Sequence, residues 1–266
     1  ARLAVALLGV GLAWEPFPGL RAVRYPAGGI TADGNTAAPL PGLYSVGECS
    51  SVGIHGANRL GSNSLTELLV FGKAAGQQAA AFARQVGPSN TNRLTDLADK
   101  AQADALAIRE RKGGTERIAT IRKEMAKTME DGCGIYRTAE TMQSTCVKLA
   151  ELKERYKQVQ VDDHSQAWNT EWLLGIELGY LIDVAQAMAH SALLRKESRG
   201  SHQRLDGFEA RDDVNFLRHS LAYYTGDGPP RIAYGPVKIT SSQPGTRAYG
   251  AAGEAADAER KAKEGV

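Results

Sequence analysis

The sequence predicts an α+β fold, and three textures along its 266 residues carry that expectation. Residues 1–87 are rich in glycine and apolar residues and read as a strand, a loop and a long helix. Residues 88–200 alternate charged and apolar positions at helical spacing. Residues 201–266 mix strand-like pieces with a charged tail. A strand and a helix in the first stretch, helices in the second and strand-like pieces in the third together give a mixed helix-and-strand fold. No internal repeat is visible.

Composition narrows the function classes. Hydrophobic residues make up 42% and charged residues 23% of the chain, ordinary for a globular protein with a packed core. The net charge of +2 gives no electrostatic case for a nucleic-acid partner. Cys49, Cys133 and Cys146 lie far apart without C-x-x-C spacing, so neither zinc nor a disulfide framework is expected and a reducing compartment fits. His55, His190 and His202 have no second ligand at useful spacing, and no metal is assigned. The apolar run at residues 1–13, ARLAVALLGVGLA, is shorter than the roughly 20 residues a membrane span needs. No A-x-A-like cleavage site follows it, so the expectation is a cut or aberrant start inside a larger protein.

The segment Leu40 to Ala80 is the richest in chemistry. Leu43 to Val46 follow a Pro41-Gly42 turn and read as a strand, ended by Gly47 and Glu48. An acidic residue at a strand's carboxyl end suits acceptance of hydrogen bonds from ribose hydroxyls, although position alone favours an exposed loop glutamate. Residues 49–63 form a Gly-rich loop carrying His55, Asn58, Arg59 and Asn63. Ser64-Leu65-Thr66-Glu67 has the pattern of a capping box, with Ser64 at the N-cap and Glu67 three residues on. The helix it opens should run to about Val86, with Leu65, Leu68, Leu69, Ala75 and Ala79 on one buried side. Gly72 and Gly76 cost helix propensity, so close packing against them is expected. The free N–H groups of the helix start favour an anionic ligand. Arg59 in the loop has the planar fork for a carboxylate, or is a surface charge.

The string HGANRLGSNSL, His55 to Leu65, strongly resembles the site loop of the succinate dehydrogenase/fumarate reductase flavoprotein family. The flanking GECSSVG and ELLVFGKAAG look like its bacterial fumarate reductase branch. So do DGCGIYRT, AHSALLRKESRGSHQRLD and RDDVNFLRH, which extends the resemblance from about Glu15 to Tyr249. It implies FAD as cofactor, with the flavin's ribose on Glu48. It also implies that Arg59, Leu60, Gly61, Ser62, Asn63, Ser64 and Leu65 line the isoalloxazine, Ser64 and Leu65 through backbone groups. Arg59 would further clamp a substrate carboxylate. A helix start aimed at the negative edge of a reduced flavin would stabilise it by roughly 0.3–2 kcal/mol. The implied fold is the C-terminal segment of an FAD-binding α/β domain (1–87), a helical domain (88–200) and a small mixed C-terminal region with a disordered tail (201–266).

The match departs from the family upstream. Glu15 to Ile30, EPFPGLRAVRYPAGGI, resembles the family's EPIPVRPTAHYTMGGI without a gap. Tyr25 keeps its place as a cofactor contact, while the family's substrate-binding histidine falls on Arg24, a permanently charged guanidinium where a titrating imidazole is expected. The family's G-x-G-x-x-G turn, its flavin-linking histidine and its capping domain with the proton-delivering arginine are not found in this sequence. Without the pyrophosphate turn, the 266-residue chain alone is expected to bind FAD weakly and to be inactive.

Four helices are expected in the middle region. The first runs from an Asn92 N-cap to Lys112, and the second spans Thr115–Asp131 with Ile118, Ile121, Met125 and Met129 inward and Gly132 as terminator. The third runs from a Thr138 N-cap to about Val159 with Met142, Cys146, Leu149 and Tyr156 inward. The fourth, Asn169–Lys196, is long and apolar, but Glu177, Asp183 and His190 interrupt it and suggest a buried helix rather than a membrane span. Arg195, Lys196, Arg199, His202 and Arg204 form a basic cluster, read as an ion-pair network against Glu197, Asp206, Asp212 and Asp213.

The resemblance implies an enzyme: part of a flavoprotein that reduces fumarate to succinate by hydride transfer from reduced FAD. Electrons would arrive from quinol through an iron–sulfur subunit, beside membrane-anchor subunits at the cytoplasmic face of the bacterial inner membrane. Succinate dehydrogenase is the same chemistry reversed, and L-aspartate oxidase shares the site loop. Arg24 and the unfamiliar N-terminus favour a different class, a non-catalytic helical interaction module or truncated fragment.

Overall fold

In the computed structural model, residues 28–88 and 91–240 are described. Short strands β1 (Ile30–Thr31) and β2 (Ser50–Ser51) pair in parallel, Ile30 opposite Ser50. A 3-10 turn, Gly47–Cys49, leads into β2. The long helix α1 spans Asn63–Val86. Helices α2 (Thr91–Arg109) and α3 (Ile118–Cys133), strand β3 (Tyr136–Arg137), and helices α4 (Ala139–Tyr156) and α5 (Thr170–Leu194) follow. Strand β4 (Gln203–Arg204) pairs in parallel with β3. The described chain ends with the one-turn helix α6 (Asp213–Phe216) and the paired strands β5 (Arg218–Tyr223) and β6 (Arg231–Pro236). The compact unit that holds these elements ends at Gly235, inside β6, and Pro236–Val266 form a second unit.

The helical periodicity becomes the core. Ile118, Ile121 and Met125 of α3, Met142, Cys146, Leu149 and Leu152 of α4, and Leu178, Ile182, Ala185 and Ala189 of α5 bury one another. Ile121, Met142, Leu149 and Leu152 are completely inaccessible. Thr138 caps α4, its hydroxyl accepting from the Thr141 amide at 3.2 Å. Asn169 caps α5 through the Trp172 amide at 2.7 Å. Trp172 in turn donates its indole N–H to the Ala105 carbonyl at 2.8 Å, which ties α5 to α2.

Helix bounds differ from expectation where local rules met tertiary ones. Helix α2 begins before Asn92, which therefore lies inside it, and ends at Arg109 rather than Lys112. There the Arg109 guanidinium lies over Trp172, 4.8 Å from the ring centroid. Gly132 does not stop α3, which runs on to Cys133 and is capped by Gly134. Gly132 is instead a packing residue, because a Cβ there would meet Thr145 Oγ1 at 1.9 Å. Helix α4 stops at Tyr156, and the chain then forms a parallel bridge between Glu116 and Val159. Helix α5 is only half the buried helix expected: Leu178 and Ile182 face the core, while Leu173, Tyr180, Leu181 and Val184 are exposed. By length and composition α5 alone among the described helices would suffice to cross a membrane, but Asp183 on it pairs with Lys153 of α4 at 2.9 Å. The charged tail lies outside the described residues.

Expectations fail at several points in the first third. Leu43–Val46 do not form a strand; Tyr44 makes an isolated antiparallel bridge with Ala37, and the Ser45 amide donates to the Thr36 carbonyl at 3.1 Å. An extended run becomes a strand only where a neighbour supplies a ladder, and here the ladder is one rung. In α1, Leu65, Leu68 and Leu69 are 66%, 48% and 77% exposed, so the face expected to be buried is open. Glu67 is the buried residue of that helix. Gly72 does receive a neighbour, with Val46 Cγ1 at 4.0 Å from its missing Cβ, whereas among the described residues nothing comes within 4 Å of where a Cβ on Gly76 would lie.

Candidate functional site

The loop from Val52 to Ser62 is built between β2 and α1. Ahead of β2, in the 3-10 turn, Gly47 adopts φ +79°, and a Cβ there would meet Leu68 Cδ2 at 2.5 Å. Only glycine allows the 3-10 turn to lie against the start of α1, and this brings the exposed Glu48 beside that helix. Gly29 supplies a second close approach, since a Cβ there would sit 2.3 Å from the Cys49 carbonyl oxygen. Neither role was read from the sequence; a glycine before an acidic residue at a turn was the available signal.

The helix start departs from the capping box. Helix α1 begins at Asn63, one residue before Ser64, and its N-cap is Ser62, held in the left-handed region at φ 65° without a side-chain cap bond. Glu67 does not reach back to cap the helix. Its Oε2 lies 2.6 Å from His55 Nε2, with the two side chains only 1% and 8% exposed. A tertiary pair has taken the carboxylate that the local rule assigned to the backbone. The helix start is exposed rather than capped by a side chain: Gly61, Ser62 and Asn63 are exposed and Ser64 is half-buried, while the Asn63 and Leu65 amides donate to the Leu60 and Ser62 carbonyls at 3.3 and 3.1 Å. Arg59 is half-buried just upstream, its Nη1 donating to the Leu60 carbonyl at 3.1 Å. Leu60 and Leu65 are exposed apolar side chains on either side of that terminus. Arg24 and Tyr25 lie outside the described residues.

On the far side of the loop, the Ala57 carbonyl accepts from both the amide and the hydroxyl of Ser201, each at 3.1 Å. Ser201 belongs to the basic segment, which is an ion-pair network as expected. Arg195 and Arg199 converge on Glu197, which is wholly buried, at 2.6 and 2.9 Å. Arg199 also reaches Asp213 at 2.6 Å, and Arg204 forks onto Asp206 at 2.8 and 2.6 Å. Asp212 joins differently, capping α6 with its side chain, and Lys196 is exposed. His202 Nδ1 lies 2.8 Å from Arg137 Nη1, and its Nε2 lies 3.1 Å from the Arg195 carbonyl. Since a guanidinium only donates, Nδ1 is the acceptor and Nε2 carries the proton. Burial, with the nearby guanidinium charges of Arg137, Arg204 and Arg195, pushes the His202 pKa down to about 4, against the hydrogen bond to Arg195. Arg204 holds the Asp206 carboxyl down at about 2.

The sequence-predicted residues thus gather at the exposed start of α1, with the half-buried Arg59 and the exposed Leu60 and Leu65 around it. Residues 15–65 match the family described as FAD binding domain, and residues 122–249 match fumarate reductase flavoprotein C-term. The chain belongs to the succinate dehydrogenase/fumarate reductase flavoprotein family. It is 52% identical to the fumarate reductase flavoprotein subunit of Proteus vulgaris over 262 residues, 98% of this chain and 44% of that protein. Identity to the succinate dehydrogenase flavoprotein subunit of Rickettsia bellii is 35%, over 88% of this chain and 40% of that protein. A solved quinol fumarate reductase flavoprotein from E. coli superposes with a TM-score of 0.87 at 50% identity, covering 92% of this chain and 42% of that one. The chain thus spans less than half the length of the relatives it matches. Its mixed helix and strand architecture contains the flavoprotein C-terminal domain of the family, and the family's cofactor is FAD.

Proposed function

We propose that this chain supplies one edge of the flavin and dicarboxylate site of a flavoprotein that reduces fumarate to succinate. The observation that carries the reading is the placement of Arg59 immediately ahead of the exposed α1 start. FAD, when bound, supplies the hydride chemistry. Glu48 accepts hydrogen bonds from the ribose, and the backbone from Gly61 to Leu65 binds the isoalloxazine edge, where the helix terminus favours negative charge. Arg59 orients fumarate by a bidentate pair to one carboxylate and stabilises the charge that grows there during reduction. Leu60 and Leu65 exclude water from that edge. Fumarate reduction is favoured over succinate oxidation by the higher identity to proteins named for the former. By the same kinship, quinol-derived electrons reach the site through an iron–sulfur subunit, with membrane-anchor subunits holding the complex at the cytoplasmic face of the inner membrane. The 266-residue chain alone is inactive in this reading.

The test uses a full-length flavoprotein carrying these residues, with Arg59→Lys and Arg59→Ala assayed for fumarate reduction by a chemical donor. A charge-assisted pair realised in the transition state is worth about 30- to 1,000-fold in kcat/KM, and lysine, lacking the fork, restores little. If both variants stay within about twofold of the parent, Arg59 is not the clamp. In the same protein Arg24→His raises activity if arginine at that position impairs substrate binding.

A further inference from the structure

We infer that Gly200 and Ser201 are positioning residues for Arg59, fixing the site loop from a segment 144 residues away. The inference rests on the reading of Arg59 as the dicarboxylate clamp. Ala57 lies two residues before Arg59, and Ser201 spends both its amide and its hydroxyl on the Ala57 carbonyl. Gly200 adopts φ +60°, and a Cβ there would lie 2.5 Å from the Ala57 oxygen and 2.8 Å from the Ala57 Cβ. The obstacle is loop backbone rather than the tip of a flexible side chain, so a side chain at position 200 must displace the loop.

The segment bearing these contacts is itself held firmly. The Arg199 amide donates to the His202 carbonyl at 2.9 Å and the His202 amide returns the bond at 3.0 Å. Arg199 forks onto the buried Glu197, and His202 is 8% exposed between Arg137 and the Arg195 carbonyl. The loop, by contrast, exposes Gly56, Asn58 and Leu60. On its near side it is pinned by His55 on Glu67. Ser201 is the pin on the other side, and Arg59 follows both. A bidentate carboxylate clamp works only when its guanidinium is held to within about 0.5 Å, which an exposed glycine-rich loop does not provide alone.

The experiment uses the FAD-loaded full-length flavoprotein with Ser201→Ala, Ser201→Thr and Gly200→Ala, each alone and combined with Arg59→Ala. Malonate, a redox-inert dicarboxylate, is titrated against the flavin absorbance, and KM and kcat are measured per bound flavin. Ser201→Ala, which loses one of two donors, raises malonate Kd and KM about three- to tenfold. Ser201→Thr, which keeps the hydroxyl, stays near the parent. Gly200→Ala costs about 10- to 100-fold in kcat/KM, the scale of a misplaced binding group. In the Arg59→Ala background Ser201→Ala has no further effect on malonate. A purely structural role would lower flavin-loaded yield or thermal midpoint and leave malonate Kd per flavin unmoved. If Arg59→Ala weakens malonate while Ser201→Ala does not, or if the Ser201→Ala loss persists without Arg59, the positioning role is overturned and the clamp stands. If Arg59→Ala leaves malonate binding intact, the clamp reading falls and the positioning role with it. Should Gly200→Ala fail to fold, the Ser201 pair decides.

Discussion

His55 Nε2 and Glu67 Oε2 meet at 2.6 Å, joining the site loop to the helix it feeds through a pair almost closed to solvent. Glu67→Ala removes a hydrogen-bond partner from a buried imidazole at a cost of about 1–3 kcal/mol. The expected outcome is a lowered thermal midpoint and faster amide exchange confined to residues 53–63. Glu67→Gln, which keeps an acceptor, falls between this variant and the parent. Unchanged exchange in that loop on Glu67→Ala would show that the pair does not pin it.

The buried His202 makes stability depend on pH with a definite sign. Its folded pKa, about 4, lies below the ordinary imidazole value of 6.5, so the unfolded chain binds the proton more readily. Its contribution is therefore complete above about pH 6.5 and is lost as pH falls toward 4, about 3 kcal/mol across that window. Burial depresses His190 and His219 in the same direction. Glu124 and Asp206, held down to about 2 chiefly by hydrogen bonds from Arg155 and Arg204, lose their contributions only at lower pH, below ordinary carboxylate values. Urea midpoints measured from pH 7.5 to 4 should fall, and His202→Gln should flatten the slope without abolishing it. An identical slope in that variant would acquit His202.

Glu197 is wholly buried and receives Arg195, Arg199 and the Asp212 amide. Neutralising it removes the counter-ion of Arg195 and one of the two carboxylates on Arg199, so Glu197→Gln should cost about 3–5 kcal/mol. The exposed Lys127–Asp131 pair is the control, and Lys127→Ala should leave the midpoint unmoved. Equal effects from the two variants, read by thermal denaturation, would contradict the burial argument.

Protection from exchange should be uneven. Leu149 is fully enclosed by α3, α4 and α5, and Leu149→Ala should cost about 2–5 kcal/mol. Amides of those helices should exchange more slowly than those of residues 28–40, whose strand pairing is two residues long. Stronger protection in residues 28–40 would refute this.

The middle helices were legible because their signals are local and periodic. Met142, Cys146 and Leu149 repeat at helical spacing, and Thr138 and Asn169 cap where a short polar side chain precedes such a run. The site loop was legible as a string of residues but not as geometry. Ser64 and Glu67 satisfy the spacing of a capping box, yet Glu67 is claimed by His55, twelve residues upstream. Leu65, Leu68 and Leu69 obey helical periodicity and are nonetheless exposed. Periodicity says which residues share a face and is silent on whether anything covers it. The Ser201 contact had no sequence signal, because a backbone acceptor such as the Ala57 carbonyl has no residue type of its own.

The Ala57–Ser201 contact also sets an order of events at the ribosome. At elongation rates of about 5–20 residues per second, Ser201 is synthesised roughly 7 to 30 s after the loop it holds. Helices α3 and α4, joined by a few residues, have partners within reach almost as soon as they emerge. The nascent loop completes its shape only when residue 201 arrives. Ligand capture by that edge is therefore a late step in biogenesis, and a stalled or prematurely terminated chain holds the arginine without the means to aim it.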